Sequence, residues 1–241
     1  MQCLNITLIG LIMMPSLIIP VSLVPRQLLD ERGLGECEIR YWRLNMAERK
    51  AKVVRETAET TVRVEVNIDG SGQFQITTGI RMFDHLLSQL TQHGVFDIII
   101  SASGPDQHHV VEDVAISLGK ALNQALGRKQ DIVRMAHAIV PMDEALAAVA
   151  VDIGGRVYSI IEADFNEASI GDLDADLVRH FLVSLASEAR INLHAKVLSG
   201  INDHHKAEAL FKALGRALDS ATRIDERILG RVPSTKEVIE D

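Results

Sequence analysis

Two pairs of adjacent histidines, each followed by a glutamate, are the residues of this chain best suited to chemistry: His108-His109-x-x-Glu112 and His204-His205-x-x-Glu208. Their first histidines lie 204 − 108 = 96 residues apart. Neutral imidazole and carboxylate are common ligands of divalent transition metals. At a helix start, positions i, i+3 and i+4 share a face, so Glu112 can be joined by either His108 or His109 while the other ring points elsewhere. Neighbouring side chains on a helix diverge by about 100°, which suits each pair to serving two metals rather than one. A single motif of this kind is common by chance; two in register imply a site. His85, in Phe83-Asp84-His85, and His194, in Asn192-Leu193-His194, are the further ligands expected to converge. Six histidines and two glutamates make two sites of about three imidazoles and one carboxylate each. That set leaves octahedral positions open and suits manganese better than a closed tetrahedral zinc site. His137 and His180 are read as structural.

The elements that must position these groups repeat as well. Thr61 to Ile68 alternates with period two, as a half-buried strand does; Asp69-Gly-Ser-Gly reads as a turn, and Gln73 to Ile76 as the returning arm of a hairpin. Met82, Phe83, Leu86, Leu87 and Leu90 fall at helical spacing, Phe96 to Ala102 reads as a buried strand, and Val110 to Leu122 as a second helix ending near Gly127. The second half predicts a hairpin from Ala145 to Tyr158, a helix over 174–188, a strand over 191–198 and a helix from His204 to Ala221. With an offset of 96, Leu86 matches Leu182, Gly104 matches Gly200, Gly119 matches Gly215 and Leu122 matches Leu218. The expected fold is therefore an α/β (α+β) two-layer sandwich, built by tandem duplication of a strand-strand-helix-strand-helix unit. The halves are set at residues 46–138 and 139–241.

Of 241 residues, 47% are hydrophobic, only 4% aromatic and 24% charged, which describes a globular chain with an aliphatic core. A net charge of −8 argues against nucleic acid as the main partner. The two cysteines, Cys3 and Cys37, form no disulfide framework for the body of the chain, so a reducing compartment is the default. Residues 1–45 are read as an extension, disordered or arising from a start placed upstream of Met46, with an oligomer-packing arm as the alternative. Their apolar run from Leu4 to Val24 is broken by Pro15 and Pro20 and lacks a preceding basic residue, so it fits neither a signal peptide nor a membrane span.

Four segments name a family. Phe83-Asp-His-Leu-Leu-Ser-Gln-Leu-Thr-Gln-His-Gly94, Asp106-Gln-His-His-Val-Val-Glu-Asp113, Pro141-Met-Asp-Glu-Ala-Leu146 and Asn202-Asp-His-His-Lys-Ala-Glu-Ala-Leu-Phe-Lys212 together resemble imidazoleglycerol-phosphate dehydratase of histidine biosynthesis. The likeness runs from about Lys52 to Lys236. Val110 stands where the family usually has Thr and Phe83 where it usually has Leu; neither change removes a ligand.

The resemblance implies loss of water from imidazoleglycerol phosphate to give imidazole acetol phosphate; a cytoplasmic setting with no membrane partner is the default expectation. It implies two manganese ions per active site, held by His85, His108, His109, Glu112, His194, His204, His205 and Glu208. It also implies a shell of twenty-four subunits built from trimers, with active sites between subunits. The substrate has no carbonyl beside the proton it loses, so the ring must expel the hydroxyl, and its N–H is too weak an acid at pH 7 without a metal. The acid/base role falls on Glu59 of Thr57-Ala-Glu-Thr60, placed in the first strand, with Glu112 and Glu208 as further catalytic carboxylates and Asp113 and Glu144 as nearby candidates. Arg134, Arg156, Lys212 and the tail residues Ser234, Thr235 and Lys236 would bind phosphate, with Gln89 and His93 as further substrate contacts. A di-metal hydrolase and a metal-stapled assembly without catalysis are the alternatives.

Overall fold

The computed structural model describes residues 48–239; the readings of residues 1–45 lie outside them. Each half contains a four-stranded mixed sheet with two helices on one face. The first half runs β1 (Lys50–Glu56), β2 (Thr61–Asn67), β3 (Phe74–Thr77), α1 (Arg81–Gly94), β4 (Asp97–Ser103) and α2 (Gln107–Leu126). The second runs β5 (Met135–Met142), β6 (Ala145–Asp152), β7 (Tyr158–Glu162), the small pair β8 (Ser169–Ile170) and β9 (Leu173–Asp174), α3 (Asp176–Ala189), β10 (Asn192–Ser199) and α4 (Asp203–Thr222). The duplicated sandwich is as expected, with one more strand opening each half. β5 runs across the expected junction at 138/139, so the second half's first hairpin begins before it.

The strand orders β1-β2-β4-β3 and β5-β6-β10-β7 correct both expected hairpins. β3 does not return along β2; it lies beyond β4 and runs parallel to it, with α1 as the crossover. The Asp69-Gly-Ser-Gly segment is thus a step over the end of β4. Asp97, which opens β4, accepts the backbone N–H of Ser71 at 2.8 Å and of Gln73 at 3.0 Å. A side chain at Gly70 would collide with the Asp97 backbone, so glycine is required there. In the second half β6 and β7 are likewise separated by β10, and β7 runs parallel to it with α3 as the crossover. The hairpins within the two four-stranded sheets are β1-β2 and β5-β6. Both opening strands are sheet edges, which carry charge or proline and lack clean alternation: β1 reads Lys-Ala-Lys-Val-Val-Arg-Glu, and β5 places Pro141 in its ladder.

The inner sheet faces, with Val62, Val64, Val66, Ile98 and Ile100 in one half and Ala147, Val149, Val151, Leu193 and Ala195 in the other, close onto the helices in one continuous core. The halves meet helix to helix, α1 on α4 and α2 on α3. Two glycines allow that approach. A Cβ on Gly119 of α2 would lie 2.7 Å from the Leu185 carbonyl oxygen of α3, and one on Gly215 of α4 would lie 2.5 Å from the Leu90 carbonyl oxygen of α1. The two are related by the 96-residue offset, so the sequence repeat marks two equivalent crossings. The β8-β9 pair ties the halves further: α1 has no side-chain cap of its own, and Asp172 accepts the Arg81 and Met82 N–H groups at 3.0 and 2.8 Å.

Candidate metal centres

The helix pairs bring together two clusters of three donors, each with ligand atoms within 4.8 Å of one another. One is His85 of α1 with His204 and Glu208 of α4; the other is His180 of α3 with His108 and Glu112 of α2. Each cluster takes one histidine from one half and a histidine-glutamate pair, four residues apart, from the other. Neither half alone could assemble either one.

In the first cluster the Glu208 carboxylate is buried and lies 2.9 Å from His85 Nε2 and 3.1 Å from His204 Nε2. Its second oxygen meets Lys212 Nζ at 2.6 Å. Burial opposes this charge, but the Lys212 ammonium and the His85 ring outweigh burial and hold the carboxyl down at about 2. In the second cluster the His108 and His180 rings stack with centroids 4.8 Å apart, and His180 Nε2 lies 3.7 Å from Glu112 Oε1. His180 Nε2 is buried and has no hydrogen-bond partner. An orphaned imidazole nitrogen beside a carboxylate and a second ring fits a metal ligand, and the donor set fits a divalent transition metal.

The second histidine of each motif turns away from its cluster. The His108 and His109 rings stand at 79°, and those of His204 and His205 at 90°. His109 Nδ1 lies 2.7 Å from Asp106 Oδ2, and its Nε2 faces Glu59 at 3.2 Å. His205 Nδ1 lies 2.8 Å from Glu144 Oε2, and its Nε2 faces Asp143 at 3.6 Å. The Asp106 hydrogen bond raises the pKa of His109, and the Glu144 hydrogen bond raises that of His205. Glu144 itself, accepting the Asn202 N–H and the His205 ring, is held at about 2.

Of the expected ligands, His85, His108, His204, Glu112 and Glu208 enter the clusters, and His109 and His205 flank them. His194 does not. In β10 the buried neighbours Leu193 and Ala195 face the helices, so His194 projects from the outer face of the sheet, where it lines a groove of about 250 Å³ with His137. His180, read as structural, takes the place His194 was expected to fill. Its signal was present in the repeat. The buried positions of α1 (Met82, Phe83, Leu86, Leu87, Leu90, Thr91, Gly94) recur in α3 (Leu177, Val178, Phe181, Leu182, Leu185, Ala186, Ala189) with an offset of 95, not 96. At that offset His85 matches His180 (180 − 85 = 95) and Leu86 matches Phe181 rather than Leu182. The extra residue enters at the register shift between Val197 and Ser199 in β10, after which the offset is 96.

The remaining groups fall in three places. His85, Gln89 and His93 form an i, i+4, i+8 stripe on α1, facing the stripe His204, Glu208 and Lys212 on α4. Burial lowers the His93 pKa, and the Lys212 and Arg216 charges lower it further. Arg134, Arg156, Ser234, Thr235 and Lys236 line a separate cavity of about 1030 Å³ that includes neither Lys212 nor any cluster residue. There Arg134 is clamped by Asp152 at 2.7 and 3.1 Å and donates to the Pro233 carbonyl at 2.7 Å, which fixes the tail. Glu59 sits in the turn between β1 and β2, not in a strand, and is exposed. Asp113 is a brace for that turn: it is buried, accepts Arg55 Nε at 2.7 Å and is hydrogen-bonded by the Thr60 hydroxyl.

The imidazoleglycerol-phosphate dehydratase family model matches residues 78–218. An imidazoleglycerol-phosphate dehydratase of Dehalococcoides mccartyi strain 195 is 56% identical over 196 residues, covering 81% of this chain and all of that protein. One from Methanothermobacter thermautotrophicus is 50% identical, covering 78% and 96%. The crystal structure of the Pyrococcus furiosus enzyme superposes with a TM-score of 0.68 at 37% identity, covering 77% of this chain and 99% of that one. The Staphylococcus aureus structure gives 0.68 at 32% identity, covering 73% and 99%.

Proposed function

The chain belongs to the imidazoleglycerol-phosphate dehydratase family, metal-dependent hydro-lyases of histidine biosynthesis, and we propose that it removes water from imidazoleglycerol phosphate to give imidazole acetol phosphate, with two manganese ions per active site. The observation that carries the metal reading is the orphaned Nε2 of His180 in a cluster with His108 and Glu112, matched by His85, His204 and Glu208. These six residues would hold the metals, with His109 and His205 offering their outward nitrogens. Bound divalent metal would supply acidity to the substrate's imidazole N–H, as zinc lowers the pKa of bound water from about 15.7 to about 7.

The chain's own groups divide the remaining work. Glu59, beside His109 Nε2 and exposed, is free to take the proton from the carbon next to the departing hydroxyl. Lys212 balances the Glu208 charge beside the ring-binding end, and Gln89 and His93 line the same seam. Arg134, Arg156, Ser234, Thr235 and Lys236 would receive the phosphate.

Two features support active sites shared between subunits of a twenty-four-chain shell. His109 and His205 point away from their own clusters, and the outer sheet faces expose Ile99 on one side and Met135, Ile139 and Tyr158 on the other. A cytoplasmic setting is part of the same reading; among the described residues no helix is long and apolar enough to cross a membrane. Family membership argues against a hydrolase or a purely structural scaffold. The test is product formation from imidazoleglycerol phosphate by chelator-stripped protein: manganese should restore it, and metal rebinding without turnover would overturn the dehydratase reading.

A further inference from the structure

The two halves solve one orientation problem with different residues. In the first half Asp106 does two jobs at the start of α2: Oδ1 accepts the His109 backbone N–H at 3.0 Å, and Oδ2 meets His109 Nδ1 at 2.7 Å. The matching position 96 residues on is Asn202, which caps α4 by accepting the His204 and His205 N–H groups at 2.9 and 3.3 Å. With its one oxygen taken by the cap, the Asn202 amide has only N–H left to offer a ring, and in the second half the carboxylate's task at the ring falls to Glu144 from the β5-β6 turn. Glu144 meets His205 Nδ1 at 2.8 Å and is itself fixed by the Asn202 and Ile201 N–H groups at 2.8 and 3.1 Å.

An ionised carboxylate only accepts, so the ring nitrogen facing it must carry the hydrogen. We propose that Asp106 and Glu144 are matched positioning residues: each holds Nδ1–H of the second histidine in its pair, leaving Nε2 of His109 and of His205 as the only lone pair offered to a metal. The exposed carboxylates on the far side, Glu59 at 3.2 Å and Asp143 at 3.6 Å, lie near Nε2 without hydrogen bonding to it, so the carboxylate hydrogen bond fixes the hydrogen at Nδ1 alone. Carboxylate partners of this kind fix ring orientation and raise ligand basicity, and losing one costs about 10–100-fold in metal affinity. The division of labour also separates capping from ring orientation, because Asn202 shows that an amide suffices for the cap.

This inference rests on the metal reading above, and Asp106→Asn and Glu144→Gln test it without removing a cap or a side chain's volume. Imidazole ¹⁵N spectra of the metal-stripped full-length protein, recorded with the rings neutral, should show His109 and His205 protonated at Nδ1. Each variant should move its own histidine, and no other, to the Nε2–H form. Manganese(II) competition with a chromogenic chelator should then read about 10–100-fold weaker binding, with the Tm of the stripped protein, taken at a pH where both rings are neutral, unchanged. Wild-type rings protonated at Nε2, or unaltered tautomers in both variants, would overturn the proposal. If the wild type bound no manganese, the metal reading would fail, and the tautomers would still decide whether Asp106 and Glu144 orient these rings.

Discussion

Glu59 is the carboxylate whose surroundings best match a base: exposed, in a turn, and 3.2 Å from a ring nitrogen. Glu59→Gln should keep its metal and lose about 10²–10⁴-fold in turnover, measured as kcat beside metal content; full activity would remove it from the reaction. The pKa shifts set a second expectation. His109 and His205 are raised by their carboxylate partners, so in metal-free protein they add stability that is complete below about 6.5. That stability is lost as pH rises through the raised folded values. Metal binding needs the neutral rings and runs the other way. Manganese content after dialysis at limiting metal should therefore fall as pH drops through the histidine range, while Glu208, held at about 2, is still ionised. A loss centred near pH 4 would instead assign the release to carboxylates. Of the six cluster residues, His85, His108, Glu112, His204 and Glu208 were legible in the sequence from residue type and spacing. His194 lies apart from both clusters, because proximity in sequence to His204 says nothing about which face of a strand a residue occupies.

Gly119 and Gly215 are where the helices constrain the clusters. Gly215→Ala would press a methyl group into the α1 backbone, costing about 1–3 kcal/mol and lowering the Tm by several degrees. The same substitution should weaken metal at the His85-His204-Glu208 cluster, and Gly119→Ala at the His108-Glu112-His180 cluster, read as metal equivalents lost from one site at a time. Helices and buried strands were legible because their apolar periodicities are strong. The two opening strands were not: β1 and β5 are edges, and their charges and Pro141 mask the alternation. The pairing of β3 and β7 was misread for a different reason. A turn sequence such as Asp69-Gly-Ser-Gly looks the same whether the chain folds back beside its neighbour or steps over a third strand, and only the later arrival of β4 decides. The single residue added in β10 then hid His180 from a comparison at fixed offset.

Duplication accounts for the arrangement of the molecule. Each half lends a histidine-glutamate pair to one cluster and a lone histidine to the other, so the two sites stand or fall with the packing of both halves. The C-terminal tail closes the separate basic cavity through the Arg134 contact to Pro233. Deleting residues 233–241 should raise KM for imidazoleglycerol phosphate with manganese content unchanged; an unaltered KM would exclude the tail from phosphate binding. The most direct single test is to count bound manganese, and measure turnover, in a His180→Asn variant whose fold is verified by its Tm. Removing the one ligand that ties the second half to the His108-Glu112 pair should cost one metal site and abolish dehydration while leaving the His85-His204-Glu208 site loaded. Full metal content with wild-type turnover would contradict the interlocked sites.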